Sequence, residues 1–141
     1  MIDIQILKLS DTKLIPGFDT FAVYSGINAL TQRIVKLLLT TKGSDYFTPL
    51  SGTNILNLYS VYNSNSIDQI KTILSEAITS LANDIIAEQT QDIADGKIYE
   101  KQDLLTSIII NSVEYDTTYS GWILNLTIKN QANDTVKIIV P

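Results

Sequence analysis

Residues 121–140 read GWILNLTIKNQANDTVKIIV, and this stretch decides the fold. Trp122, Leu124, Leu126 and Ile128 occupy every second position. Successive side chains of a strand point to opposite faces, so these four share one face. Ile123, Asn125, Thr127 and Lys129 share the other. Residues 130–134, NQAND, are turn formers. Residues 135–140, TVKIIV, are mostly β-branched and read as the next strand. Together they predict an antiparallel hairpin with one face apolar enough to need a cover.

Upstream, residues 105–115 read LTSIIINSVEY and form a further strand, with a turn over 116–119. Before Asp95-Gly96 the apolar period changes from two to about 3.6. Ile67, Ile70, Leu74, Ile78, Leu81 and Ile85 make one helical stripe, predicting a helix over about 67–91. Ser66 and Gln69 have capping-box spacing at its start. Ile86 and Ile93 drift off the stripe. An earlier helix is predicted over 27–40, where Ile27, Leu30, Ile34, Leu37 and Leu38 recur at three- and four-residue steps. Lys42 suits its carbonyl end, and Gly43 is expected to take the left-handed position that ends it. Residues 41–52 form a loop punctuated by Pro49 and Gly52. Residues 55–61 suggest a short helix. The alternating apolar positions of residues 1–10 suggest a short strand or a pairing arm.

The expected class is α+β: two main helices packed on one side of a three- to four-stranded, mostly antiparallel sheet. Residues 1–141 form one domain, with an arm over 1–25, a helical part over 27–91 and a β-meander over 104–140. No internal repeat or low-complexity linker divides it.

Composition narrows the chemistry. The chain has 141 residues, a length that suits one domain without staples. Charged residues make up 18%, below the usual share of about 25%, which favours burial of surface against partners. The net charge is -5 and the ten basic residues are scattered, so no phosphate-binding surface for nucleic acid is expected. There is no cysteine, which excludes disulfides, thiolate nucleophiles and Cys-ligated metals. There is no histidine, the commonest general base and transition-metal ligand. No apolar run approaches the length of a membrane span, and residues 1–10 lack the basic flank of a signal peptide.

Three patterns bear on chemistry. Asp84, Glu88 and Asp92 are spaced by four on the long helix, as a carboxylate face for acid–base work would be. A solvated helix face explains the same spacing. Asp92, Asp95 and Gly96 lack the alternating ligands and closing Glu of a calcium loop. Gly43 and Gly52 bracket Ser44, Thr48 and Ser51, but no Lys-Ser or Lys-Thr follows as a phosphate cradle needs. No cofactor or metal is expected.

Two features point to contacts instead. There are seven tyrosines, including Tyr59, Tyr62, Tyr115 and Tyr119, a residue type enriched at interfaces. The last strand, if at a sheet edge, would offer the backbone of Thr135, Val136, Lys137, Ile138, Ile139 and Val140 to another subunit's strand. Lys137 and Pro141 are residue types that blunt such an edge.

Residues 27–56, INALTQRIVKLLLTTKGSDYFTPLSGTNIL, resemble the baseplate wedge or sheath-initiator family of contractile phage tails, often labelled lysozyme-like. Members typically show a helix with Gln and a basic residue, a Leu-Leu-Thr step, a Gly, then Pro and Gly before a short helix. Gln32, Arg33, Leu38, Leu39, Thr40, Gly43, Pro49 and Gly52 stand in those places. A long helix and a terminal meander follow in the same order. Where the family often carries Glu-Pro-Arg, this chain has Ala87-Glu88-Gln89, so contacts of that motif do not carry over. The resemblance implies a non-enzymatic virion protein of the tail baseplate, assembled in the host cytoplasm. Gln32, Arg33, Gly43, Pro49 and Gly52 would serve interaction. Partners would be other baseplate wedge subunits, the tail tube region and the tail sheath protein, with sheath assembly initiated by strand addition. The alternatives are a small cell-wall glycan hydrolase using Glu88 or neighbouring acids, and another phage or secretion-system adaptor.

Overall fold

The computed structural model describes residues 2–4, 7–10, 13–16, 23–55, 67–118 and 121–140. The elements run β1 (Ile2–Ile4), β2 (Leu7–Ser10), β3 (Lys13–Pro16), β4 (Val23–Ser25), α1 (Ile27–Leu39), α2 (Ile67–Ala94), a single 3-10 turn (Lys101–Asp103), β5 (Leu105–Asp116), β6 (Gly121–Asn130) and β7 (Thr135–Val140). The class is α+β, as expected. Strands β5, β6 and β7 form the antiparallel meander. The hairpin β2–β3 extends it to five strands in the order β2-β3-β7-β6-β5, and β1 pairs with β4 in a separate ribbon. The expected short helix over 55–61, the Ser66 cap, Tyr59, Tyr62 and Tyr119 lie outside the described residues or almost wholly so.

The β6 stripe is the floor of the core. Leu124, Leu126 and Ile128 are fully buried, joined by Ile138 and Val140 from β7. From above, α1 supplies Leu30, Ile34, Val35 and Leu38, and α2 supplies Ile70, Leu74, Ile78, Leu81 and Ile85. The α2 stripe is the one its spacing predicts; Ile93, off the stripe, is 48% exposed. Its helix runs three residues past 91, to Ala94, before Gly96 turns the chain with φ 91°. Helix α1 is more deeply embedded than one stripe implies, since Ala29, Thr31 and Gln32 are buried too.

Strand β5 changes phase twice, which simple alternation does not anticipate. Its register with β6 shifts between Leu105 and Ser107 and again between Ile110 and Ser112. Each bulge inserts one residue and flips the parity of the residues beyond it. Leu105, Ile108, Ile110 and Val113 therefore all join the core side, although 105 and 113 are odd and 108 and 110 even. Opposite them lie Ile128, Leu126 and Leu124 across the pairs Ile108↔Ile128, Ile110↔Leu126 and Val113↔Leu124.

Buried polar groups stitch the layers together. The Gln89 side chain, on the last buried turn of α2, donates to the Asp103 carbonyl at 2.9 Å and accepts from the Leu105 N–H at 3.0 Å. Asn130 closes the β6–β7 turn: its Nδ2 donates to the Gln102 carbonyl, and its Oδ1 accepts from the Asp134 N–H. Asn133 takes the left-handed conformation, φ 68°, that Asn tolerates in such turns.

Two expectations are corrected. Strand β7 is not a free edge. It pairs with β6 over its whole length, and β3 lies parallel on its other side through Lys13↔Ile139. Lys13 of the arm meets that margin at Ile139, leaving β5 and β2 as the outer strands of the sheet. Gly43 also does not end α1. Thr40 does so with an extended backbone, its hydroxyl donating to the Lys36 carbonyl and its N–H to the Leu37 carbonyl. Gly43 (φ 87°) belongs to the turn beyond it.

Replacing Gln89 by Leu keeps the volume but leaves the Asp103 carbonyl and the Leu105 N–H without this partner. We expect a loss of about 1–3 kcal/mol, read as a lower denaturant midpoint at unchanged m-value.

Candidate functional site

The residues that resemble the baseplate motif lie on α1 and on the loop that follows it. The loop leaves α1 at Thr40 and returns at Thr53, and its base is tied shut. The Thr53 N–H donates to the Thr40 carbonyl at 2.8 Å and the Lys42 N–H donates to the Thr53 carbonyl at 3.0 Å. The Thr53 hydroxyl donates to the Leu38 carbonyl in the buried floor beneath. Gly52 makes this closure sterically possible: its φ is 99°, and a Cβ there would meet the Thr40 carbonyl oxygen at 2.3 Å.

Within the loop, Asp45 is the organiser. Its carboxylate accepts from the Phe47 N–H at 2.9 Å and from the Thr48 hydroxyl at 2.6 Å. The Thr48 hydroxyl first and the Phe47 N–H second hold that carboxyl below the usual carboxylate range. The Ser44 hydroxyl donates to the Thr41 carbonyl, and the Ser51 N–H donates to the Thr48 carbonyl. The loop's polar groups thus serve its own geometry rather than a phosphate. Its apolar groups point outward: Tyr46 is 91% exposed, Phe47 89% and Leu50 79%. The two rings meet edge to face at 5.6 Å.

Beside the loop runs a cleft of about 400 Å³ between α1 and α2. Leu37, Leu50, Leu81 and Ile85 form its apolar walls, and Arg33, Lys42, Asp84 and Glu88 contribute its charges. Arg33 bonds Glu88 at 2.6 Å across the two helices. This pair is solvent-accessible, and such pairs add little stability; its effect is to fix the guanidinium at the cleft.

The motif residues separate into two groups. Gln32 is buried on α1, whereas Arg33, Gly43, Pro49 and Gly52 lie at or near the surface around the cleft and loop. Residues 135–140 are in the sheet, away from the motif loop in the chain, with Ile138 and Val140 turned into the core. Tyr115 is 43% exposed and packs edge-on against Trp122 at 5.1 Å.

The acidic series on α2 is divided among different partners. Glu88 meets Arg33, and Asp92 accepts from Lys97 Nζ and the Tyr99 hydroxyl, each at 2.6 Å. Those bonds, Lys97 first, push the Asp92 carboxyl below the usual range. A general acid at neutral pH needs the opposite shift. Among the described residues no cluster of three or more acidic side chains could hold a metal ion. No helix there is long and apolar enough to cross a membrane.

The exposed apolar tip escapes a reading by periodicity, because Tyr46, Phe47 and Leu50 belong to no helical or alternating stripe. The one signal for it is the pair Tyr46-Phe47 set among turn residues between two glycines. Fold and surface together define a small α+β domain with a preorganised apolar loop beside a shallow cleft. Comparison with protein families, curated proteins and solved structures returned no match.

Two measurements check this geometry. Gly52→Ala should cost about 1–3 kcal/mol or more from strain plus the clash at Thr40, read by chemical denaturation. Gly43→Ala should cost less, because nothing lies within 4 Å of its added methyl. Asp92 binds its proton less tightly folded than unfolded. Its stabilisation is therefore complete above the ordinary Asp pKa of about 3.9 and fades as pH falls through the lowered value. Asp92→Asn should flatten the acid limb of the stability–pH curve and leave the neutral-to-alkaline region's slope from carboxylates unchanged.

Proposed function

We propose that this chain is a structural subunit of a phage-type contractile-tail baseplate, joining the wedge and tube region to the sheath and starting sheath assembly by strand addition. The motif over residues 27–56 supports the class. The observation that carries the mechanism is the outer margin of β5. Among the described residues this strand of 12 residues pairs on one side only, with β6. An edge of that length offers a row of backbone donors and acceptors to an incoming strand. It has no Lys, Arg or Pro, and its two bulges leave residues 107–110 and 112–116 as the regular stretches open to pairing. Strand addition thus belongs at β5 rather than at β7, whose other side is approached by β3.

Surface changes along β5 test this reading. Ile109 is 52% exposed and Asn111 is exposed as well, so I109K/N111K adds charge at the edge with little effect on the core. Reconstitution of baseplate, tube and sheath protein, imaged by electron microscopy, should give sheath rings with the wild type and none with this variant. Melting behaviour should shift by no more than about 0.5–1 kcal/mol in stability terms. Equal ring formation by both proteins would remove β5 from the mechanism. Cell-wall hydrolysis by the wild type, lost in Glu88→Gln, would replace the structural role with an enzymatic one.

A further inference from the structure

Along its free margin, β5 presents two unlike rows of side chains. In the regular stretches 107–110 and 112–116, Ile108, Ile110, Val113 and Tyr115 stand on the helix side of the sheet. Ile108 and Ile110 are half-buried against the core, and Tyr115 is exposed. Ser112, Glu114 and Asp116 stand on the other side, which no helix covers among the described residues.

A helix flank overhangs the same margin. Helix α1 packs on β6 and β7, and α2 packs on β5. The α2 flank bearing Leu81, Asp84 and Glu88 faces α1 across the cleft. At about 100° per residue the opposite flank carries Ala82, Ile86 and Ile93. It therefore lies over the outer side of β5, with Ile86 half-buried and Ile93 largely exposed. Margin and flank make an open corner, with backbone donors and acceptors along one wall and aliphatic groups above. An extended chain laid there continues the sheet and tucks its alternate side chains under α2. We propose that this corner selects an amphipathic partner strand, aliphatic on the side under α2 and polar on the other, with a Lys or Arg set against Glu114. This rests on strand addition at β5 and names the chemistry of the strand that is added.

Charge decides the polar side. Glu114 is exposed, and its Oε1 accepts from the Ser112 hydroxyl at 3.0 Å. Asp116 follows on the same side, its Oδ1 turned to the Thr118 N–H. Strand β5 itself carries no base. The bases of that sheet face, Lys129 and Lys137, lie on β6 and β7, across from Ser107 and Ile109 toward the other end of the strand. A cation on an added strand would meet Glu114 directly, and an anion there would be repelled. A second copy of β5 offers acids and no base, so it does not supply this group.

Fluorescence anisotropy with labelled nonapeptides and the full chain tests the proposal. The probe peptide carries Val at odd positions and Thr, Lys, Lys, Thr at even ones. A second peptide has Glu for Lys, and a third has Asn for Val. Two further forms of the probe carry N-methyl groups on the odd or the even backbone nitrogens. The Lys probe should bind below about 1 mM. It should bind about 3–5-fold tighter than the Glu peptide at low salt, and about 10-fold or more tighter than the Asn peptide. Glu114→Lys, an exposed change that should keep the circular dichroism, should reverse the order of the Lys and Glu peptides. One N-methyl set should abolish binding and the other spare it, because only alternate N–H groups of an added strand face β5. Binding that depends on the N-methyl set but shows no Lys–Glu preference, or a preference unmoved by Glu114→Lys, would overturn the proposal and leave strand addition standing. Binding indifferent to N-methylation, or no binding by any peptide, would overturn both. Self-association of the wild type that is lost in I109K/N111K would also overturn it, by assigning the margin to a second copy.

Discussion

Everything else in the structure depends on covering the apolar face of β6. Leu124, Leu126 and Ile128 cannot remain in water, and each is buried almost completely. The helix layer covers them on that side, with buried residues from both α1 and α2. At roughly 25 cal/mol per Å² of apolar surface removed from water, burial of these side chains is the leading favourable contribution. The position of α1 in turn fixes where its C-terminal loop emerges and where the cleft against α2 opens. The exposed loop tip and the cleft beside it are thus set by a packing requirement in the sheet.

Much of this was legible from periodicity. The β6 face and the α2 stripe follow from spacing alone, because strand and helix periods map directly onto burial. The phase of β5 was not legible. A bulge changes parity without changing residue type, so IIINSVEY gives no sign of where Leu105 and Val113 rejoin the same side. The burial of Gln89 was hidden as well. A Gln on a helix surface normally faces solvent, and only the approach of residues 103–105 supplies its two backbone partners.

The site was legible in position and not in purpose. The loop over 41–52 and its glycines were visible as turn chemistry, and Gly52 has the backbone that such a residue permits. Yet Gly43 was expected to stop α1, a task that Thr40 performs with its own hydroxyl. The edge assignment failed for a topological reason. The last strand of a meander is its outer strand only if no earlier segment returns to it. Lys13 of β3 stands near the opposite end of the chain from Ile139, yet the two are neighbours in space. Local patterning carries no information about such a long-range parallel pairing.

The Gln89 amide has a mechanical meaning. It grips the main chain at the entry to β5 with both ends of one planar group, so sliding the closing turns of α2 past the opening of the outer strand breaks two hydrogen bonds at once. The first residue of that strand is thereby anchored to a helix of 28 residues as well as to the hairpin behind it.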